Sequence, residues 1–115
     1  MTEPTDAQLE QRYRPLLLAE AAELRASSDS TSTDRKPVEL DQQSIGRLSR
    51  MDAMQQQAMS AAQESRRRAQ LVAIDAALRR LAEDEFGWCP ECGEFIGTAR
   101  LDLDPALMRC VDCAR

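Results

Sequence analysis

All four cysteines of the chain, Cys89, Cys92, Cys110 and Cys113, fall near its C-terminal end in two Cys-x-x-Cys pairs with seventeen residues between them. A Cys-x-x-Cys turn is tight enough for two thiolates to share one tetrahedral ion, and two such turns close the coordination shell. Gly93 follows the second cysteine, where a tight turn favours a residue free to adopt positive φ. Four soft thiolates suit zinc, the expected ion, and a disulfide pair, a rubredoxin-like iron site or a module that has lost its metal are the alternatives. Four protein ligands leave no position for water, so the expected role is structural. The sequence contains no histidine, no Ser/His/Asp set and no glycine-rich phosphate loop. The chain is therefore expected not to be an enzyme.

Outside this region the residues favour helix. Ala, Leu, Gln, Glu, Arg and Met dominate, and only Tyr13, Phe86, Trp88 and Phe95 are aromatic. Residues 6–28 carry Leu9, Tyr13, Leu16/Leu17, Ala21 and Leu24 at helical spacing. Pro15 lies within this pattern, and the helix either begins there or passes through with a kink; helix on both sides is the favoured reading. The stretch near 27–40, rich in Ser, Thr and Asp, reads as loop.

From Asp41 to Asp84 there is no proline, and the only glycine is Gly46. Such a helix would be about 66 Å long at 1.5 Å per residue. Its expected apolar face is Ile45, Leu48, Met51, Ala58, Ala62 and Ala69, then Leu71, Ile74, Leu78 and Leu81 in heptad steps. Folded back on it, the shorter first helix would place Leu24 near Ile45 and Leu9 near residue 60. The lower stripe would then be covered by Phe86, Trp88, Ile96, Leu101, Leu103 and Leu107. The expected fold is mainly α: an antiparallel helical hairpin (a coiled coil) over residues 1–84 and a small zinc-finger lobe with four cysteine ligands over residues 85–115. A hairpin that uses its own apolar stripe is expected to be a monomer.

The run LAEDEFGWCPECGEFIGTARLDLDPALMRCVDC resembles the zinc finger of the DksA/TraR family of bacterial transcription regulators. The matching marks are Glu85-Phe86-Gly87-Trp88 before the first cysteine, Cys-x-x-Cys-Gly, Ile96, Arg100-Leu101, Pro105 and the final Cys-x-Asp-Cys. The resemblance implies a partner, RNA polymerase, whose secondary channel receives the coiled coil, and acidic residues at the coil tip that act near the catalytic centre. The family's D-x-x-D-x-A tip pattern meets DQQSIG here: Asp41 matches the first acid, Ser44 replaces the second and Gly46 replaces the alanine. Asp52 and Ala53 form a second candidate tip. Family members that bind ppGpp use basic residues, of which Arg66 matches one. Ala73, Asp104 and Ala114 stand where others are expected, so the resemblance does not carry a ppGpp response over to this chain. Arg66 and Arg100 are the candidate basic partner-binding residues.

Charge bears on partners. The formal net charge is −5, and the finger region carries Glu85, Glu91, Glu94, Asp102, Asp104 and Asp112. Such a surface repels phosphates, so direct DNA binding is not expected. An acidic protein suits a basic, nucleotide-conducting channel. The N-terminus lacks the basic and apolar regions of a signal peptide, no run reaches transmembrane length, and a cytoplasmic location is expected. The competing reading is a zinc-ribbon adaptor whose coil binds a protein other than polymerase.

Overall fold

The structure, a computed structural model, describes residues 3–32 and 47–114. It contains α1 (Asp6–Ser30), α2 (Arg47–Ala82) and a short α3 (Thr98–Leu103), and, among the described residues, no strand beyond a single antiparallel bridge between Trp88 and Phe95. The fold is mainly α, with two long helices that pack on each other and a small C-terminal lobe.

Local chemistry sets the helix ends. Thr5 and Gln8 form a capping box: the Gln8 amide donates to Thr5 Oγ1 at 3.2 Å, and the Thr5 amide donates to Gln8 Oε1 at 2.9 Å. Helix α1 passes through Pro15, in line with helix on both sides. Proline removes one donor, but Gln11 and Pro15 are both exposed, so water can serve the Gln11 carbonyl. The helix continues to Ser30, so residues 27–30 of the stretch that reads as loop are helical. At the end of α2, Asp84 takes a left-handed conformation (φ 59°) and the Glu85 amide reaches back to the Arg80 carbonyl at 2.8 Å. This is a Schellman-type stop, with a short polar residue in the place glycine often fills.

The chain divides into two compact units, residues 1–22 with 70–115, and residues 23–69. Every fully buried apolar side chain among the described residues belongs to the first. Helix α1 contributes Leu9, Tyr13, Leu17 and Ala21; α2 contributes Ile74, Ala77 and Leu81; the lobe contributes Phe86, Ile96 and Leu101, together with Cys89 and Cys110. The rings of Tyr13 and Phe86 lie 5.3 Å apart. Gly87 sits where these elements converge: a Cβ there would come within 3.0 Å of Phe95 and 3.6 Å of Leu9. Leu103, expected in this core, is instead 87% exposed at the end of α3. Trp88 and Leu107 are half-buried.

The register differs from the expected one. Leu9 lies beside the lobe, not beside residue 60. In the second unit Ser28 hydrogen-bonds to Glu64 at 2.9 Å, so the described end of α1 lies beside the middle of α2. The expected register assumes a minimal loop. The aromatic contact of Tyr13 with Phe86 fixes α1 differently, because burying large rings outweighs the entropy of a longer connection, which grows only slowly with length.

The upper apolar stripe is also corrected. Met51, Ala58, Ala62 and Ala69 are exposed. The less exposed positions of α2 in this unit are Arg50, Ala53, Gln57, Ser60, Glu64 and Arg67, which continue the heptad of Leu71, Ile74, Leu78 and Leu81 toward the N-terminus. Heptad phase, not local apolarity, decides which face turns inward.

Leu17 is fully buried while Leu16 is 47% exposed. Leu17→Ala is expected to lower stability by about 2–5 kcal/mol through lost burial and a cavity. Leu16→Ala should stay within about 0.5 kcal/mol. Urea unfolding of the two variants checks the contrast.

Candidate metal centre

The lobe is built as two cysteine turns separated by α3. In the first, the Cys89 amide donates to the Glu94 carbonyl (2.9 Å), the Gly93 amide to the Cys89 carbonyl (2.8 Å) and the Ile96 amide to the Gly87 carbonyl (2.7 Å). Gly93 has φ +77°, so the residue after the second cysteine does require a left-handed backbone. In the second turn the Ala114 amide donates to the Cys110 carbonyl at 2.9 Å. An ion pair between Arg109 and Glu91, 3.2 Å, joins the two turns at the surface.

The Sγ atoms of Cys89, Cys92, Cys110 and Cys113 all lie within 4.8 Å of one another. The Cys92 and Cys110 sulfurs are 3.5 Å apart. That is far beyond a disulfide bond, and all four cysteines are free. It is close to the edge of about 3.8 Å of a sulfur tetrahedron around zinc with 2.3 Å bonds. Backbone hydrogen bonding, first at Cys110 and then at Cys92, lowers the Cys89 thiol to about 6. Cys113 is pushed up, chiefly by side-chain hydrogen bonding with Cys110 and Cys89. Sulfurs this close cannot all ionise by themselves, and a divalent cation removes the conflict by taking all four as thiolates. The donor set fits zinc, in a closed and structural site.

A second cluster ties α3 to α1. Arg12 grips Asp102 with two bonds, Nε to Oδ1 at 3.1 Å and Nη2 to Oδ2 at 2.6 Å. The Tyr13 hydroxyl donates to Asp102 Oδ1 at 2.8 Å. Burial, then the hydrogen bond with Asp102, raises Tyr13 from its ordinary 10.0 to about 12. The Tyr13 hydroxyl, followed by Arg12, holds Asp102 below the usual carboxylate range. These residues are 89 and 90 positions apart, and no local pattern announces the pairing.

The candidate partner residues are scattered. Asp52 is exposed on α2, and Ala53 is half-buried on its inner face. Asp41, Ser44 and Gly46 lie outside the described residues. Arg66 is exposed on α2. Arg100 is half-buried on α3, and its Nη1 is buried without a hydrogen bond among the described residues.

Residues 84–115 match the prokaryotic dksA/traR C4-type zinc finger. Over 107 residues the chain is 33% identical to the RNA polymerase-binding transcription factor DksA of Caulobacter vibrioides, covering 93% of this chain and 73% of that protein. The chain belongs to the DksA/TraR family. A DksA of Haemophilus influenzae is 48% identical over 40 residues, a match that spans 35% of this chain and 28% of that one. Among solved structures, the transcription factor DksA2 from Pseudomonas aeruginosa superposes with a TM-score of 0.74 at 28% identity, covering 92% of this chain and 80% of that one. Family membership and sulfur geometry agree on one structural zinc.

Two outcomes are expected for the metal. Protein purified without chelator should carry one zinc per chain by metal analysis. Cys110→Ser should unfold the lobe, because metal binding supplies its folding free energy. Tyr13 is the chain's single tyrosine, so phenolate absorbance reads its titration directly. Its midpoint should lie near 12 and move down in Asp102→Asn, which removes the carboxylate and leaves in place the burial that is the larger cause. Because the folded value is raised, the stability that Tyr13 contributes is complete below pH 10 and is lost as the pH climbs to about 12. Tyr13→Phe should remove that alkaline loss in denaturant titrations.

Proposed function

We propose that this chain binds bacterial RNA polymerase through its secondary channel and modulates promoter-complex stability and transcription initiation, without binding DNA and without enzymatic activity. The observation that carries the reading is the 33% identity, over 93% of the chain, to a protein named as an RNA polymerase-binding transcription factor. The fold supports it. Two long helices and a four-cysteine lobe match a solved structure of a transcription factor DksA2 over 92% of this chain. The excess of acidic residues supports a basic channel as the docking site, since opposite potentials favour encounter. No helix among the described residues is long and apolar enough to cross a membrane, and the polymerase partner implies a cytoplasmic location.

Asp41 is the proposed functional tip acid, with Asp52 as the competing position. The protein acts as a monomer, since α1 and α2 pair within one chain, and the family's basic ppGpp site is not carried over to it, because Ala73, Asp104 and Ala114 stand where basic residues are expected.

The test is in vitro transcription from a ribosomal RNA promoter with purified polymerase, alongside co-purification of the core enzyme. Asp41→Asn is expected to retain folding, zinc and polymerase binding and to abolish regulation, while Asp52→Asn regulates normally. The reverse pattern moves the tip into α2. Absence of any association with polymerase turns the reading to an adaptor for another protein.

A further inference from the structure

The distal unit, residues 23–69, is held together by unusual means. No apolar side chain is fully buried among its described residues; the one buried residue is a carboxylate, Glu64, 6% exposed. Glu64 accepts a hydrogen bond from Ser28 Oγ on α1 at 2.9 Å and pairs on α2 with Arg67 at 3.2 Å and Arg68 at 3.4 Å. Arg67, its side chain 17% exposed, also reaches across to Thr31 Oγ1 at 3.4 Å. Glu64 and Arg67 occupy consecutive seam positions of the heptad that half-buries Leu71 and buries Ile74 and Leu81 further along. Helix α1 has no basic residue in its last turn. Arg67 brings a cation to that end from the other helix, where the helix dipole favours positive charge.

A polar pair in an otherwise repetitive seam contributes little to net stability, yet it penalises every arrangement that leaves it unpaired. Small residues and glutamine dominate this part of α2 and offer no large apolar knob to set the register: the sequence there is AMQQQAMSAAQ. We infer that Glu64 is a positioning residue: with Arg67, Ser28 and Thr31 it clasps the end of α1 to α2 and so fixes where the chain departs toward the segment that carries Asp41. The functional part of this inference rests on the reading that the distal hairpin acts inside the polymerase; the clasp itself rests on the contacts above.

Glu64→Leu leaves Arg67 inside the seam without its carboxylate, and Ser28 without its acceptor. Glu64→Gln keeps an acceptor for Ser28. Glu64→Leu/Arg67→Leu replaces the pair by apolar knobs. Amide hydrogen exchange on the zinc-loaded full chain reads the clasp, and transcription with purified polymerase reads its use. In Glu64→Leu, exchange of residues 24–30 and 60–67 should accelerate by about a hundredfold, while residues 71–81, packed in the other unit, keep their protection. The double variant should return the distal amides to wild-type protection or better, and Glu64→Gln should fall between. Glu64→Leu should bind polymerase and fail to regulate. The inference is overturned if distal exchange in Glu64→Leu matches wild type, if residues 71–81 open together with the distal ones, or if the distal unit opens and regulation is unimpaired. A wild-type chain with no effect on transcription sinks the proposed function instead, a result read in a different assay from the exchange that tests the clasp.

Discussion

Four sulfurs within 4.8 Å of one another close the ends of a loop that contains α3. The lobe around them is too small to stand on its own burial, with Phe86, Ile96 and Leu101 as its main fully buried apolar side chains. Zinc therefore does what a larger core does elsewhere: it fixes α3 in one place. From α3, Leu101 enters the core shared with α1 and α2, and Asp102 takes hold of Arg12 and Tyr13. The exposed fork of Arg12 on Asp102 contributes little free energy by itself, as surface ion pairs do. The buried Tyr13 hydroxyl is different, because a phenol with no partner there would carry its full desolvation cost. The N-terminal helix is thus joined to the cysteine loop through two intermediates, a short helix and one carboxylate, beside its packing on Ile74, Ala77 and Leu81 of α2.

The two units use opposite physics. Around the zinc, aromatic and aliphatic burial dominates, and contact is non-directional but strong. Among the described residues of the second unit the one buried side chain is that of Glu64, and its contacts with Ser28 and Arg67 are directional but weak in net terms. Local stability can therefore differ along one continuous helix, α2, which contributes to both units.

How much of this is legible in the sequence follows from the range of each signal. The cysteine spacing is local and leads directly to the zinc centre. The inner face of α1 is legible because Leu9, Tyr13, Leu17, Ala21 and Leu24 differ clearly from their neighbours. In the distal part of α2 the contrast fades: methionine and alanine stand on one face and Gln57, Ser60, Glu64 and Arg67 on another, and apolarity points to the wrong one. Extending the 3-4 steps of Leu71, Ile74, Leu78 and Leu81 backward lands on Arg67, Glu64, Ser60, Gln57 and Ala53, so the phase is available to a reader who trusts period over polarity. The capping box is available as Thr5-x-x-Gln8. The grip of Arg12 and Tyr13 on Asp102 is not, because it joins residues 89 and 90 positions apart that only the tertiary fold brings together.

The placement of the single tryptophan has a practical side. Trp88 precedes Cys89, lies half-buried, and packs at a tilt of 56° against Phe95, ring centres 5.2 Å apart, across the first cysteine turn. Its indole lies against the first of the two cysteine turns, whereas the long helices that dominate the far-ultraviolet circular dichroism contain no tryptophan. Intrinsic fluorescence and circular dichroism therefore watch different parts of the molecule, and the chain carries its own optical reporter of whether its metal turn is closed.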